Sequence, residues 1–437
     1  MHFLPTASRQ AGIGMPIANY PLLFIFASMK KHIAIIGAGA AGFFAAINCA
    51  EKYPQHQVTI FEKGSKLLSK VRVSGGGRCN VTHACFDVNL LVKNYPRGEK
   101  QLKSVFSRFM TTDTINWFES RGVKLKTEAD GRMFPVTDSS QTIIDCLLNE
   151  AEKHNVKIET GCNVLRMEKK DNGKIELTFR YEERHEFDAV LIASGGSANA
   201  AGFDWLKESG HEIISPVPSL FTFNMPKNKI TELMGVSVEW ARIKILSTNF
   251  SSEGPLLITH WGMSGPAILK LSSIAARALA EMKYNFKIQI SWIKDIKEEQ
   301  LRITLQEMKN VSAKKMIHNA AEFGLPKRLW QFLLGKSGIE NQMQWAQLSK
   351  EQLNKFLNSL LYDEYTVSGK TTFKEEFVTC GGVSLKEVDF KTMESKKMKG
   401  LFFAGEVLDI DAVTGGFNFQ AAWTTGYVAA LGMGIGK

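Results

Sequence analysis

The polarity pattern along the chain changes period several times, and each change predicts an element. Residues 33–36 (IAII) form a short, unbroken apolar run that stops at a glycine, which predicts a strand buried on both faces. An Ala-rich stretch and a second apolar run ending at Glu62 follow, so the first part of this pattern reads strand, helix, strand. Two later runs repeat the design: DAVLIASGGSA at residues 188–198 and GLFFAGE at residues 400–406 are apolar strands ending in glycine. Between Trp205 and Tyr365 the character changes. Val236, Val238 and Trp240, and later Tyr284, Phe286, Ile288 and Ile290, alternate with polar residues in the period of half-buried strands. From Asp295 the period is helical: Leu301, Leu305 and Met308 share a face, and Ser349-x-x-Gln352 sets a capping box before Leu353, Phe356, Leu357 and Leu360. The chain reads as α/β, a Rossmann-type parallel-sheet framework with a β-rich and then a helical module inserted in its middle.

The junction after the first strand is Gly37-x-Gly39-x-x-Gly42. Each glycine has a physical task in a dinucleotide site. Gly37 permits the tight turn, Gly39 lets backbone approach a pyrophosphate, and Gly42 lets helix and strand pack closely, with the phosphates at the helix N-terminus. Glu62 stands 20 residues beyond Gly42, where a carboxylate can accept both ribose hydroxyls and disfavours a 2′-phosphate. FAD or NAD is therefore expected rather than NADP. Ser194, Gly195 and Gly196 end a buried strand and can lie against the same ligand without side-chain obstruction. Near residue 400 the design recurs, with Gly405, Glu406 and Asp409 followed by Gly415, Gly416, Phe417 and Asn418 opening an Ala-rich helix. This segment resembles the last part of FAD enzymes, which implies a carboxylate on the ribityl chain and a helix N-terminus against the flavin N1/O2 edge.

The stretch SGGGRCNVTHAC, residues 74–85, poses a choice between a redox disulfide and a cofactor wall. Flavin disulfide reductases separate their cysteines by four residues; here five lie between Cys79 and Cys85, and no second GxGxxG follows mid-chain. The cofactor-wall reading is preferred. Ser74, Gly75, Gly76 and Gly77 can present backbone N–H groups as an anion nest, Lys70 and Arg78 add positive charge, and Asn80 adds an amide. Lys63 and Val164 complete the expected cofactor-binding set.

Composition narrows the function classes. Hydrophobic residues make up 44% of 437 positions, enough for more than one core. No apolar run approaches the ~20 residues of a membrane span. Residues 1–28 read as a disordered leader or an over-extended start. Six cysteines without a CxxC spacing point to a reducing cytoplasm and fit no zinc site, so no metal is expected. The net charge of +10 admits an anionic cofactor, substrate or nucleic acid without choosing among them.

Eight ordered blocks, among them GAGAAG, SGGGRCNVT, NYPRG, GRMFPVTDSS, LIASGGSA and THWGMSGPAIL, resemble the bacterial aminoacetone-oxidase-like FAD-binding flavoproteins, which include dehydro-bile-acid reductases of the BaiN type. The resemblance runs from Met29 onward. It implies a discontinuous FAD-binding domain (residues 29–207 and 372–437), an inserted β-rich domain (208–292 and 361–371) and a helical subdomain (293–360). It also implies that GRMFP, with Arg132, and THWGMSGPA, with His260, border the reactive face of the flavin. Arg132 could clamp a carboxylate and His260 could exchange a proton. Where the family often has Thr-Asn, this chain has Thr82-His83.

These readings converge on a cytoplasmic FAD-dependent oxidoreductase that moves a hydride between flavin N5 and a small organic or steroid-like substrate. The lack of a second Rossmann fingerprint favours NAD(P)H as a transient donor over a resident nucleotide, and an oxidase using O₂ stays open. Two alternatives belong to other classes. One is a tRNA-modifying flavoprotein, which the absence of a concentrated Lys/Arg stripe disfavours. The other is a non-catalytic FAD-binding regulatory protein.

Overall fold

Seven strands carry the glycine fingerprint. In the computed structural model, which describes residues 30–197, 199–319, 321–372 and 378–435, they lie in the order Val388–Asp389, Glu394–Ser395, Leu401–Phe403, Ala189–Ile192, His32–Ile36, Gln57–Glu62, Lys157–Thr160. The expected leader at residues 1–28 lies outside the described residues. From Leu401–Phe403 to Lys157–Thr160 the strands are parallel, and the other edge is antiparallel. His32–Ile36 sits between strands reached in opposite directions. The crevice beyond its carboxyl end is thus the topological switch point where open α/β sheets bind ligands.

Local sterics explain the packing. A Cβ on Gly42 would stand 2.0 Å from the Gly37 carbonyl oxygen, so the Ala40–Lys52 helix can seat on its strand only with glycine there. That helix packs against the Phe417–Gly434 helix, both being rich in small residues. Their apolar faces belong to one buried cluster with the parallel sheet.

A second buried cluster is built on a seven-stranded antiparallel sheet, ordered Asp363–Ser368, Asn285–Ser291, Ser237–Ile245, Ser251–Thr259, Gly262–Ser264, Thr222–Asn224, Lys370–Thr371. Phe286, Ile288 and Ile290 are buried as their alternation predicts. Trp240 departs from its expected face: the register shifts between Val238 and Ala241, and burial passes to Ala241, Ile243 and Ile245. Trp240 is left partly exposed beneath the Arg242 guanidinium. Helices cover this body. Ser349 and Gln352 exchange hydrogen bonds of 3.1 Å at the start of the Lys350–Leu361 helix, which buries Leu353, Phe356, Leu357 and Leu360.

The chain passes between the two bodies along an antiparallel ribbon, Ile213–Ser219 with Val378–Val383. Ion pairs fix the junction. Arg97 donates to both carboxylate oxygens of the fully buried Asp411 and to the Ser273 carbonyl oxygen, and Ser219 Oγ donates to Asp411 at 2.6 Å.

Candidate cofactor and substrate site

A cavity of about 600 Å³ opens at the switch point, and a second of about 420 Å³ shares Gly37, Glu62, Ser194, Gly195 and Gly196 with it. Together they make an elongated, two-lobed space. The smaller lobe is lined by Lys63, Val164 and Trp205, among others. The larger is lined by Gly39, Lys70, Ser74, Gly75, Gly76, Asn80, Arg132, Gly405, Glu406, Gly415, Gly416 and Asn418.

The glycines of this wall are open toward the ligand. A Cβ built on Gly39, Gly76 or Gly195 would meet nothing within 4 Å, so each backbone can be approached closely. Glu62 accepts from the Ala38 N–H at 2.9 Å and the Gly64 N–H at 2.8 Å, which fixes its carboxylate at the join of the two lobes. Glu406 takes the Lys70 ammonium at 2.6 Å and the Thr379 N–H at 2.8 Å. The Phe417–Gly434 helix presents its N-terminus through Gly415, Gly416 and Asn418. Asn80 braces that turn by accepting from the Gly416 N–H and donating to the Thr82 carbonyl oxygen, both at 3.0 Å. Asn418 braces it from inside the helix, accepting from the Ala412 N–H at 2.9 Å. This is an elongated cradle with a carboxylate at its middle, another in the larger lobe and a helix N-terminus beside it, and it fits FAD.

Several sequence-predicted residues serve elsewhere. Arg78 is turned from the cavity: its guanidinium pairs with Glu128 at 2.6 Å and Asp138 at 3.5 Å and stacks on Phe134. Gly77 is likewise absent from the lining, and Gly42 is a packing residue. Asp409 is held by Arg277 with two contacts of 2.7 Å, which leaves Glu406 as the carboxylate of that segment facing the cavity. Phe417 is buried against the His83 ring, and its carbonyl oxygen accepts from the Tyr95 hydroxyl. His83 takes up the space beside Gly415, with Nδ1 3.0 Å from its carbonyl oxygen. His260 is exposed and stands outside the lining, edge-on to Trp261. Arg132 does reach the cavity, with its guanidinium engaged by Asp130 at 2.7 Å and Glu128 at 3.0 Å.

All six cysteines are free. Cys79 is fully buried, and desolvation pushes its thiol up to about 12, which makes it a packing residue rather than a redox group. The sequence reading missed the opposite wall, where Leu220, Thr222, Ser264, Leu269 and Thr371 come from the inserted body. Their signal is the pairing of three strands that lie far apart in the chain.

With this geometry in place, comparison with known proteins is decisive for the family. The family described as HI0933-like protein Rossmann domain matches residues 31–432. The chain belongs to that family. Ribosomal RNA dihydrouridine synthases of Haemophilus influenzae and Escherichia coli are 29% and 30% identical to it, covering 92% and 91% of this chain and 98% and 96% of their own lengths. The 3-dehydro-bile acid delta(4,6)-reductase of Clostridium scindens is 28% identical over 91% of this chain and 98% of its own. The 3-ketosteroid-delta4-(5alpha)-dehydrogenase of Rhodococcus jostii RHA1 shares the fold, with a TM-score of 0.50, 12% identity and coverage of 93% of this chain and 97% of that one. By family this is an FAD-dependent oxidoreductase. No helix among the described residues is long and apolar enough to cross a membrane.

Proposed function

We propose that the protein is a reductase of carbon–carbon double bonds conjugated to a carbonyl, acting on a small organic or steroid-like substrate with NAD(P)H as transient electron donor. The observation that carries this reading is the composition of the wall facing the glycine cradle. Leu220, Leu269, Val378 and Ile410 supply apolar surface, and Thr222, Ser264 and Thr371 supply hydroxyls, a combination suited to a flat apolar ring bearing a carbonyl. FAD, when bound, supplies hydride-transfer chemistry at its N5. The chain's contribution is to position and polarise. Gly39, Gly76 and Gly195 would admit the cofactor, Glu62 and Glu406 would hold its hydroxyls, and the Phe417–Gly434 helix N-terminus would favour negative charge on its ring system. The names of the similar proteins support reduction over aminoacetone-type oxidation, since both reductase and dihydrouridine synthase describe saturation of such a bond.

The second reading is uridine in ribosomal RNA as substrate. Two full-length relatives carry that name, and a net charge of +10 suits a polyanion. One experiment addresses both. The purified holoenzyme is reduced anaerobically with NADH or NADPH, and its flavin absorbance is followed as 2-cyclohexenone, a 3-oxo-Δ4 steroid or unmodified ribosomal RNA is added. Reduction by a nicotinamide followed by reoxidation with the enones is the expected result. Reoxidation by RNA alone, with dihydrouridine formed, transfers the assignment to the second reading. A flavin that no nicotinamide reduces overturns the proposed donor.

A further inference from the structure

The antiparallel sheet of the inserted body aligns three hydroxyl side chains at the cavity wall. Thr222 pairs directly with Thr371 on one side. On the other, the register Phe223 to Met263 and Asn224 to Gly262 places Ser264 opposite Thr222. Side chains directly opposite in neighbouring strands share a face. The three hydroxyls therefore form a row across three strands, and all three residues line the cavity.

The middle hydroxyl is oriented. The Trp261 indole Nε1–H lies 3.0 Å from Thr222 Oγ1, and an indole N–H can only donate. Thr222 must be the acceptor in that contact, which directs its own proton elsewhere. Among the described residues its acceptor is the Thr371 carbonyl oxygen at 3.4 Å, well beyond the 2.5–3.0 Å usual for an O–H···O bond. Thr222 is only 3% exposed, so a poorly used donor is held at the edge of a largely dry wall. Ser264, partly exposed at the end of its strand, accompanies it.

We infer that Thr222, its lone pair held by Trp261, and Ser264 beside it form the hydrogen-bond donor site for the carbonyl oxygen of the substrate, with Trp261 as a positioning residue. This rests on the reductase reading above. Hydride originating in NAD(P)H adds to the β-carbon of the enone, the π pair of the double bond moves toward the carbonyl, and the oxygen becomes an enolate. A proton from water then completes the α-carbon. The two hydroxyls face the atom on which negative charge grows, so their bonds strengthen as the reaction proceeds. His260 is the sequence's candidate in this segment; its neighbour Trp261 is the residue that contacts Thr222.

The test uses holoenzyme whose FAD content has been measured, reduced with dithionite and reoxidised anaerobically by 2-cyclohexenone. Thr222→Val, close to isosteric, should lower the maximal reoxidation rate about 100-fold with a smaller change in half-saturating enone, as loss of an oxyanion donor does. Thr222→Ser should restore it to within a few-fold. Ser264→Ala should cost about 10-fold, and Trp261→Phe should lose nothing further in the Thr222→Val background. A second readout needs no turnover: 4-chlorophenol, whose phenolate mimics the enolate, is titrated into oxidised holoenzyme and followed by its long-wavelength charge-transfer absorption. Thr222→Val should weaken it at least about 10-fold. Thr222→Val protein that reoxidises and binds 4-chlorophenol as the wild type does overturns the inference. If no enone reoxidises the wild type, the reductase reading falls, and the 4-chlorophenol titration still decides for or against Thr222. Wild type that also binds no 4-chlorophenol overturns both.

Discussion

At Gly39 a single added side chain has a defined consequence. Its Cβ position faces open cavity, whereas those of Gly37 and Gly42 face backbone atoms at 2.4 and 2.0 Å. Gly39→Val should therefore leave the fold intact and occupy the space that a pyrophosphate needs, giving protein with a normal circular-dichroism spectrum and thermal transition but little bound FAD. Flavin retained at the wild-type ratio would refute the assignment. Gly42→Val should instead compromise folding, because the helix cannot stay seated. The cysteines separate in the same way. Cys49, Cys79, Cys146 and Cys380 are buried, and burial pushes Cys49 and Cys79 up to about 12, while Cys85 and Cys162 are half-buried. A thiol reagent at pH 8 should label two sites per native chain quickly and the rest only on unfolding; rapid modification of Cys79 would revive a redox role for that loop. The glycine tasks were legible because each follows from a fixed distance in sequence. The partners of Arg78 and Asp409 were not, since Glu128 and Arg277 are 50 and 132 residues away and only the tertiary fold brings them near.

Elements explain a further part of what sequence could and could not say. The capping box at Ser349 and the apolar runs of the parallel strands are local signals, and the structure forms them as the pattern predicts. The strand Ser237–Ile245 begins in its expected phase and leaves it at the bulge after Val238, because one inserted residue exchanges the two faces of a strand. The hydroxyl row of Thr222, Ser264 and Thr371 depends on register between strands up to 149 residues apart, so periodicity carried no trace of it. The junction between the bodies depends on Arg97 and Asp411 in the same way. Asp411 is fully buried, and desolvation raises its carboxyl above the usual range against the opposing pull of Arg97. Arg97→Met would leave that carboxylate with Ser219 as its main partner, and it should cost about 3–5 kcal/mol in urea unfolding. Adding Asp411→Asn should recover part of the loss, because the uncompensated charge is removed. Equal stability of wild type and Arg97→Met would show that the pair does not hold the bodies together.

The charge of the whole molecule separates the two substrate readings. A net +10 spread over the chain raises the local concentration of any anion, and both NAD(P)H and RNA are anionic, so salt sensitivity of nicotinamide reduction alone decides nothing. A neutral enone is different. Its reaction with pre-reduced enzyme has no long-range charge interaction to screen, and its rate should stay flat between 50 and 200 mM salt. RNA bound through some six to ten phosphate contacts should lose about 10³-fold or more in affinity over that range, with a linear dependence of log K on log salt. The small-molecule reading expects weak RNA binding that is indifferent to sequence, because the Lys and Arg residues are dispersed and those at the cavity are partly committed: Lys70 to Glu406, and Arg132 to Asp130 and Glu128. A steep slope together with preference for one ribosomal RNA segment would show that the positive charge is organised for a polyanion. The same cavity would then take an extruded uracil, whose ring carries a conjugated double bond and a carbonyl that Thr222 and Ser264 could equally hold. Under that RNA reading, neutralising Lys66, which lines the cavity, should lower the slope by about one, as loss of one phosphate contact does, and an unchanged slope would show that its ammonium meets no phosphate.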